Sequence, residues 1–204
     1  MNHTKKILVV AATALIGSAL IGVGSASATA LCKTSPSTHI CPLGDSYNSG
    51  TEISSSLQDE AVFRSGNTVV QQCAGGTYDL TVQPRFGTQS VPANAAMSFA
   101  GCNAELPVIT GGSAEIRWQE GTHDGTIFHE GPHMKIKFFG VTCPYAVVGQ
   151  ADLIGGASSR VVFDDTVLFK TTGEKFLCPQ QLTLDAEYAV ESPAPLFVED
   201  EAYL

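Results

Sequence analysis

Alternation of apolar and polar side chains is the dominant pattern along this chain. Over residues 113–120, Ala114, Ile116 and Trp118 fall on one face, and charged or amide side chains fall on the other. Residues 133–138 repeat the alternation in HMKIKF. A period of two is typical of antiparallel strands with one packed face and one solvated face. We therefore predict a β-hairpin over residues 113–138.

The same pattern recurs in short segments through most of the chain. Strand-like runs separated by Gly, Pro, Ser and Asn lie at 51–57, 61–63, 68–73, 78–82, 95–100, 143–148, 161–163, 167–169, 182–190 and 196–198. Beyond residue 30 no stretch of ten residues shows a sustained apolar period of 3.6. The predicted fold is all-β, a single antiparallel β-sandwich or flattened barrel over residues 31–198, followed by a frayed acidic tail over 199–204.

The first thirty residues differ from the rest in composition. Lys5 and Lys6 precede a long apolar run, and small residues then flank Ala28 and Ala30. A basic region, an apolar region and a small-x-small site make up a secretory signal peptide. We predict a signal peptide over residues 1–30, cleaved after Ala28 or Ala30. The product is expected to be secreted or associated with the cell envelope, without membrane insertion after cleavage.

All six cysteines follow the predicted leader, at Cys32, Cys41, Cys73, Cys102, Cys143 and Cys178. An even number of cysteines in an exported chain predicts a disulfide framework. Each consecutive pair closes a local loop in a meandering sheet, so we expect sequential pairing into three bridges.

The net charge of the chain indicates which classes of partner it does not bind. It is −9 for the whole chain, and it becomes more negative when Lys5 and Lys6 leave with the leader. An acidic surface repels nucleic acid and anionic membranes. We therefore expect no nucleic-acid partner, and an extracellular ligand or protein that the sequence does not identify.

Six short motifs follow one another along the chain: LCK at 31–33, GT-x-I at 50–53, GSAEIRW at 112–118, LIGG at 153–156, FLCP at 176–179 and YAVESPAPLFV at 188–198. In these motifs the chain resembles a group of uncharacterised secreted bacterial six-cysteine β-rich proteins. That group has no assigned activity. The resemblance implies secretion and a disulfide-bonded β-domain, and it transfers no site residue.

One segment suggests an enzyme. The run Gly44-Asp45-Ser46 resembles the first motif of the GDSL-type (SGNH) esterases, and this resemblance implies that Ser46 is a nucleophile. Serine needs a base that is itself oriented by an acid. The chain has no Asp-x-x-His pair near its C-terminus and no histidine after His133. We therefore expect no catalytic residue and no enzyme, and a secreted serine hydrolase using Ser46 is an alternative hypothesis.

The connection within the predicted hairpin suggests two binding alternatives. His123, His129 and His133 fall within eleven residues, and neutral imidazoles are ligands for Zn²⁺, Ni²⁺ and Cu²⁺. They form the alternative metal site, although no cofactor is expected. A carbohydrate-binding role for the hairpin would need an exposed aromatic face, whereas Trp118 is expected in the core.

Together these observations favour a non-catalytic function. We expect a secreted, disulfide-stabilised β-domain that serves as an extracellular binding or structural module. The serine hydrolase and the metal- or carbohydrate-binding hairpin over residues 113–138 are the two alternatives.

Overall fold

The computed structural model describes residues 28–42, 44–84, 89–171 and 176–201, which form strands and turns without a helix. No helix in these ranges is long and apolar enough to cross a membrane. The predicted leader lies outside the described residues as far as residue 27, and so do Leu43 and the last three residues of the predicted tail. The strands are β1 Thr29–Cys32, β2 Ile40–Cys41, β3 Glu52–Leu57, β4 Ala61–Ser65, β5 Thr68–Val82, β6 Val91–Cys102, β7 Val108–Thr110, β8 Gly112–Trp118, β9 Gly125–Glu130, β10 His133–Phe138, β11 Val141–Val147, β12 Gln150–Ile154, β13 Arg160–Lys170, β14 Gln181–Ser192 and β15 Phe197–Glu201.

A closed antiparallel barrel forms the body of the protein. Its strands pair in the order β4, β5, β6, β8, β9, β12, β13 and β14, and β14 pairs again with β4. β3 occupies the same barrel position as β4, because it pairs with the far ends of β5 and β14. The predicted all-β class is confirmed, and of the two predicted architectures, sandwich and barrel, the structure has a closed barrel.

Alternation explains why the clearest strands form where they do. In β14 every second side chain from Leu182 to Val190 is buried. The predicted segments 161–163 and 167–169 belong to one strand, β13. Its pairing with β14 shifts register between Phe163 and Thr166. This bulge interrupts the alternation of buried and exposed side chains, so the sequence predicts two strands where one strand forms.

The predicted hairpin over residues 113–138 is wrong in its second arm. β8 pairs with β9, while β10 pairs with β11 and β7. The inward positions of β9 are Gly125, Ile127 and His129, so only one of them carries a large apolar side chain. β9 therefore lacks the alternation of apolar side chains that predicts a strand. Gly131, with a φ of 82°, and Pro132 then separate β9 from β10.

A second, three-stranded sheet covers part of the barrel. β15 lies in its centre, antiparallel to β1 and parallel to β2. The prediction of a frayed tail from residue 199 is wrong for Glu199, Asp200 and Glu201, since they belong to β15 and Glu199 is fully buried. Acidic composition suggested solvation, but the imidazoles of His39 and His123, from distant segments, lie against Glu199 in the interior.

Three disulfides join Cys32 to Cys41, Cys73 to Cys102, and Cys143 to Cys178. Sequential pairing is confirmed. The second bridge joins residues that face each other directly on β5 and β6. The first bridge lies in the small sheet and closes a loop that proves important for the candidate site.

Candidate metal centre

Three side chains from remote parts of the sequence meet beside the small sheet. His39 lies in the loop closed by Cys32–Cys41, His123 in the turn between β8 and β9, and Glu199 in β15. Their ligand atoms all lie within 4.8 Å of one another. No other group of three His, Cys, Asp or Glu side chains in the described ranges meets this condition. We refer to these three residues as the His39–His123–Glu199 cluster.

Glu199 is the buried centre of the cluster. Its side chain is 0% exposed, and its Oε1 lies 2.5 Å from Nδ1 of His123. Its Oε2 lies 3.4 Å from Nδ1 of His39 and has no hydrogen-bond partner. Nδ1 of His39 is likewise buried without a hydrogen-bond partner. A carboxylate removed from water needs a cation or hydrogen bonds to compensate its desolvation.

His123 is held by a turn rich in hydrogen bonds. Its carbonyl accepts from the backbone N–H of Val198 at 2.9 Å, which ties the turn to β15. The Thr122 carbonyl accepts from the Trp118 indole N–H at 2.8 Å, and the Asp124 carboxylate accepts from the Gly155 N–H at 2.8 Å. The position of the His123 imidazole is therefore largely set by the backbone around it.

His39 is held by the disulfide-closed loop. Its N–H donates to the Pro36 carbonyl at 3.1 Å, and its own carbonyl accepts from Asp200 N–H at 3.0 Å. Its φ is 54°, a left-handed conformation that costs about 1 kcal/mol or more for a non-glycine residue. The surrounding contacts offset this cost and hold the imidazole against β15.

A further contact orients the His123 ring. Its Nε2 lies 3.1 Å from the Ser35 hydroxyl, which belongs to the same loop as His39. When Nδ1 bears a ligand, Nε2–H donates to Ser35, the arrangement that commonly fixes metal-bound histidine. The ring centroids of His39 and His123 lie 4.6 Å apart, and Phe197 packs edge-on against His123. One side of the cluster stays open, with the two imidazoles 30% and 36% exposed.

Two imidazoles and one carboxylate form a known donor set for zinc. Ligand bonds of about 2.1 Å in tetrahedral geometry place neighbouring donor atoms about 3.4 Å apart. The His39–Glu199 separation of 3.4 Å already matches this value. The His123–Glu199 contact at 2.5 Å is a direct charge-assisted hydrogen bond that a bound ion would replace.

The histidines proposed from the sequence lie in different environments. His129 is buried inside the barrel, where Nδ1–H donates to the Gly149 carbonyl at 3.3 Å and Nε2 accepts from the Tyr78 hydroxyl at 2.8 Å. Both of its nitrogens are therefore engaged. His133 is exposed on β10. Of the proposed trio, the structure places only His123 in the cluster.

Ser46, the alternative nucleophile, forms an isolated antiparallel bridge with Cys32. Within the described ranges no hydrogen bond joins its hydroxyl to a histidine. It lines a shallow polar depression together with Tyr47, Asn48 and Glu201. The structure therefore brings no histidine into hydrogen-bond contact with the Ser46 hydroxyl in this part of the chain.

Sequence reasoning missed Ser35, His39 and Glu199. Ser35 lies 88 residues from its partner His123, and Glu199 lies 76 residues from the same histidine. Continuing the predicted strand at 196–198 by one residue would have placed Glu199 in the sheet. Nothing in the local sequence around Ser35 or His39 pointed to His123.

Trp118 packs against the core, as expected, and it also borders the cluster. It is half-buried, and its ring centroid lies 6.3 Å from that of His39, so it lies beside the cluster at the edge of the core.

The three disulfides are typical of proteins in an oxidising extracellular environment. Comparison with protein-family models, with curated proteins and with solved structures gives no match.

Proposed function

We propose that this protein is an exported, non-catalytic binding module that holds a divalent transition-metal ion at the His39–His123–Glu199 cluster. The observation that carries the proposal is the fully buried Glu199 carboxylate, which has one oxygen without a hydrogen-bond partner and an imidazole Nδ1 on either side. A cation between the three side chains would compensate the buried charge and use the unpartnered atoms.

The donor types favour certain metals. Imidazole nitrogen suits Zn²⁺, Cu²⁺ and Ni²⁺, whereas Ca²⁺ and Mg²⁺ prefer sites made entirely of oxygen ligands. Two nitrogens and one carboxylate therefore select the first group. Three protein ligands leave a coordination position on the open side, where water or a donor from a partner would complete the shell.

A direct ion pair is the competing explanation of the same geometry. A protonated imidazole beside Glu199 also compensates the carboxylate, and such a pair needs no metal. The two explanations differ in whether the protein takes up an ion at this place with a fixed stoichiometry.

The serine hydrolase alternative has less support, because the components of a serine-hydrolase site do not come together in the described residues. Ser46 has no histidine bonded to it, and His129 is locked between Tyr78 and Gly149. The barrel and its disulfides supply a rigid support for a surface site.

Calorimetric titration with Zn²⁺ tests the proposal. The oxidised protein, freed of metal by a chelator and dialysis, is expected to bind one Zn²⁺ with a Kd tighter than about 100 µM, or about 5.5 kcal/mol of binding free energy. Glu199→Gln keeps the shape of the side chain and removes its charge, so it is expected to abolish binding. His133→Asn, on exposed β10, is the matched control and is expected to bind like the wild type.

A wild-type Kd weaker than about 100 µM would overturn the proposal and leave the ion pair as the explanation. Equal affinity in Glu199→Gln would equally exclude this cluster as the binding site.

A further inference from the structure

We infer that the Cys32–Cys41 disulfide assembles the metal site, so that the protein gains high metal affinity only after oxidation. This inference rests on the proposed metal-binding function and names how that same site is controlled. It follows from the place of the bridge relative to the residues that form the cluster.

The disulfide closes the loop that carries two members of the site. Cys32 and Cys41 are separated by 9 positions, and between them lie His39, a proposed ligand, and Ser35, the partner of His123 Nε2. Both cysteines are buried at 0% and 3% exposure, against Ala30 and Phe197 of the small sheet. The loop is therefore anchored at both ends beside Glu199.

Apart from the bridge, His39 is held by the bond from Asp200 N–H to its carbonyl and by ring contacts with His123 and Trp118. β2 has only two residues, and its parallel pairing with β15 is confined to Ile40–Asp200 and Cys41–Glu201. The left-handed backbone of His39 is disfavoured in an unconstrained chain. The disulfide limits the number of conformations open to the loop. Without it, the loop is less restricted to the conformation that allows the short β2–β15 pairing and the left-handed backbone of His39.

The other two bridges provide the contrast. The loops closed by Cys73–Cys102 and Cys143–Cys178 contain none of the cluster residues. Cys73–Cys102 joins neighbouring strands of the barrel, and Cys143 lies on β11, in the extension of strands beyond β13. Their loss is expected to lower stability without moving His39.

The chemical step is an ordinary thiol oxidation. The Cys32 and Cys41 thiols lose two protons and two electrons as the S–S bond forms. The electrons reduce the disulfide of a thiol–disulfide oxidant to a dithiol, which takes up two protons. In a reducing compartment the loop stays open, so the site is completed when the chain reaches an oxidising one.

A pair of double variants tests the inference. Cys32→Ser with Cys41→Ser removes the bridge without leaving thiolates that would bind metal themselves. Its Zn²⁺ affinity is expected to be weaker by about 10- to 100-fold. Cys143→Ser with Cys178→Ser loses one bridge as well, and it is expected to stay within about threefold of the wild type.

The outcomes separate this inference from the function on which it rests. If the wild type fails to bind Zn²⁺, the proposed function itself is rejected. If the wild type binds and the Cys32/Cys41 double variant binds within about threefold of it, only the inference is overturned.

A second measurement on the wild type decides the matter if the double variant does not fold. Because both sulfurs are buried, reduction requires opening of the loop, which a bound ion opposes. Saturating Zn²⁺ is expected to slow reduction of Cys32–Cys41 by a phosphine about tenfold, with Cys143–Cys178 as the internal reference. Alkylation and mass spectrometry give both rates, and an unchanged rate for Cys32–Cys41 contradicts the inference.

Discussion

The Tyr78 hydroxyl donates a hydrogen bond of 2.8 Å to Nε2 of His129 inside the closed barrel. The other ring nitrogen, Nδ1–H, donates to the Gly149 carbonyl, so the histidine is satisfied in its neutral form. Tyr78 also packs edge-on against Phe163 and lies next to Tyr188. Inside the barrel, the aromatic side chains of Tyr78 and Phe163 thus pack around the His129 imidazole.

This pair predicts a loss of stability in mild acid. Burial lowers the pKa of His129 from 6.5 to about 4, although the bond to Gly149 opposes the shift. Between about pH 6.5 and pH 4, His129 is therefore protonated in the unfolded chain but neutral in the folded protein. The contribution of His129 to the free energy of unfolding is fully present above about pH 6.5. It falls by about 3 kcal/mol as the pH drops to about 4. Urea unfolding at several pH values measures it.

The variant His129→Gln isolates the contribution of this residue. Glutamine remains uncharged, so the difference in unfolding free energy between pH 7 and pH 4 is expected to shrink by about 3 kcal/mol. His133→Gln, on exposed β10, is the matched control and should leave the pH profile unchanged. An equal acid sensitivity in wild type and His129→Gln would contradict the prediction.

Local pattern predicted the faces of strands much better than their partners. β14 was evident because five inward positions carry apolar side chains or alanine, while β9 was hidden because a histidine and a glycine take two of its three inward positions. The sequential disulfides were predictable because each bridge closes a local stretch of chain, of 9, 29 and 35 positions. Alternation says which way a side chain points, but it does not specify which strand lies next to it.

The candidate site was beyond prediction for the same physical reason. His123 was recognised as a possible ligand, but its partners Ser35 and Glu199 lie near opposite ends of the chain. They meet because β1, β15 and β2 form a separate sheet beside the β8–β9 turn. A buried carboxylate within an acidic tail is the reverse of what composition suggests.

Strand β1 predicts which leader cleavage would preserve the fold. Thr29 and Ala30 are 3% and 1% exposed, and they pair with Asp200 and Glu199 of β15. The Thr29 hydroxyl also accepts from Trp118 N–H at 2.8 Å. A chain that begins at Leu31 is therefore expected to be less stable than one that begins at Thr29 by about 2 kcal/mol. Urea unfolding of the two chains measures the difference.

A control separates the loss of β1 from a general effect of shortening. Thr29→Val in the chain beginning at Thr29 keeps the side-chain shape and removes the acceptor for Trp118 N–H, so it is expected to lose about 1 kcal/mol. Equal stability of the chains that begin at Thr29 and Leu31 would show that these two residues do not hold β15.

Gly155, the residue after β12, lies in close contact with the turn that carries His123. A Cβ on Gly155 would overlap the His123 carbonyl oxygen, and it would lie 3.3 Å from the Leu196 carbonyl. Gly155→Ala is therefore expected to displace the turn that carries His123 and to destabilise the protein by about 1–3 kcal/mol. Thermal unfolding and Zn²⁺ titration of the same sample measure both effects.

Gly75→Ala is the matched control for this substitution. A Cβ there would lie 3.7 Å from Ala100 Cβ, an ordinary contact, and the backbone conformation is open to any residue. We expect a change within about 0.5 kcal/mol. If Gly155→Ala were equally harmless, the close approach of β12 to the β8–β9 turn would not constrain His123.

Metal addition predicts a gain in stability that depends on Glu199. An ion that binds the folded protein and not the unfolded chain adds about 2.7 kcal/mol at a free concentration of about 100 times Kd. Because the ligands join the Cys32–Cys41 loop, the β8–β9 turn and β15, the gain reports on all three segments. Chemical unfolding with and without Zn²⁺ measures it, and a chelator should reverse it. Glu199→Gln is expected to show no gain and His133→Asn the full gain. A similar gain in Glu199→Gln would mean that Zn²⁺ acts elsewhere on the protein, because the substituted side chain lies at the centre of the cluster.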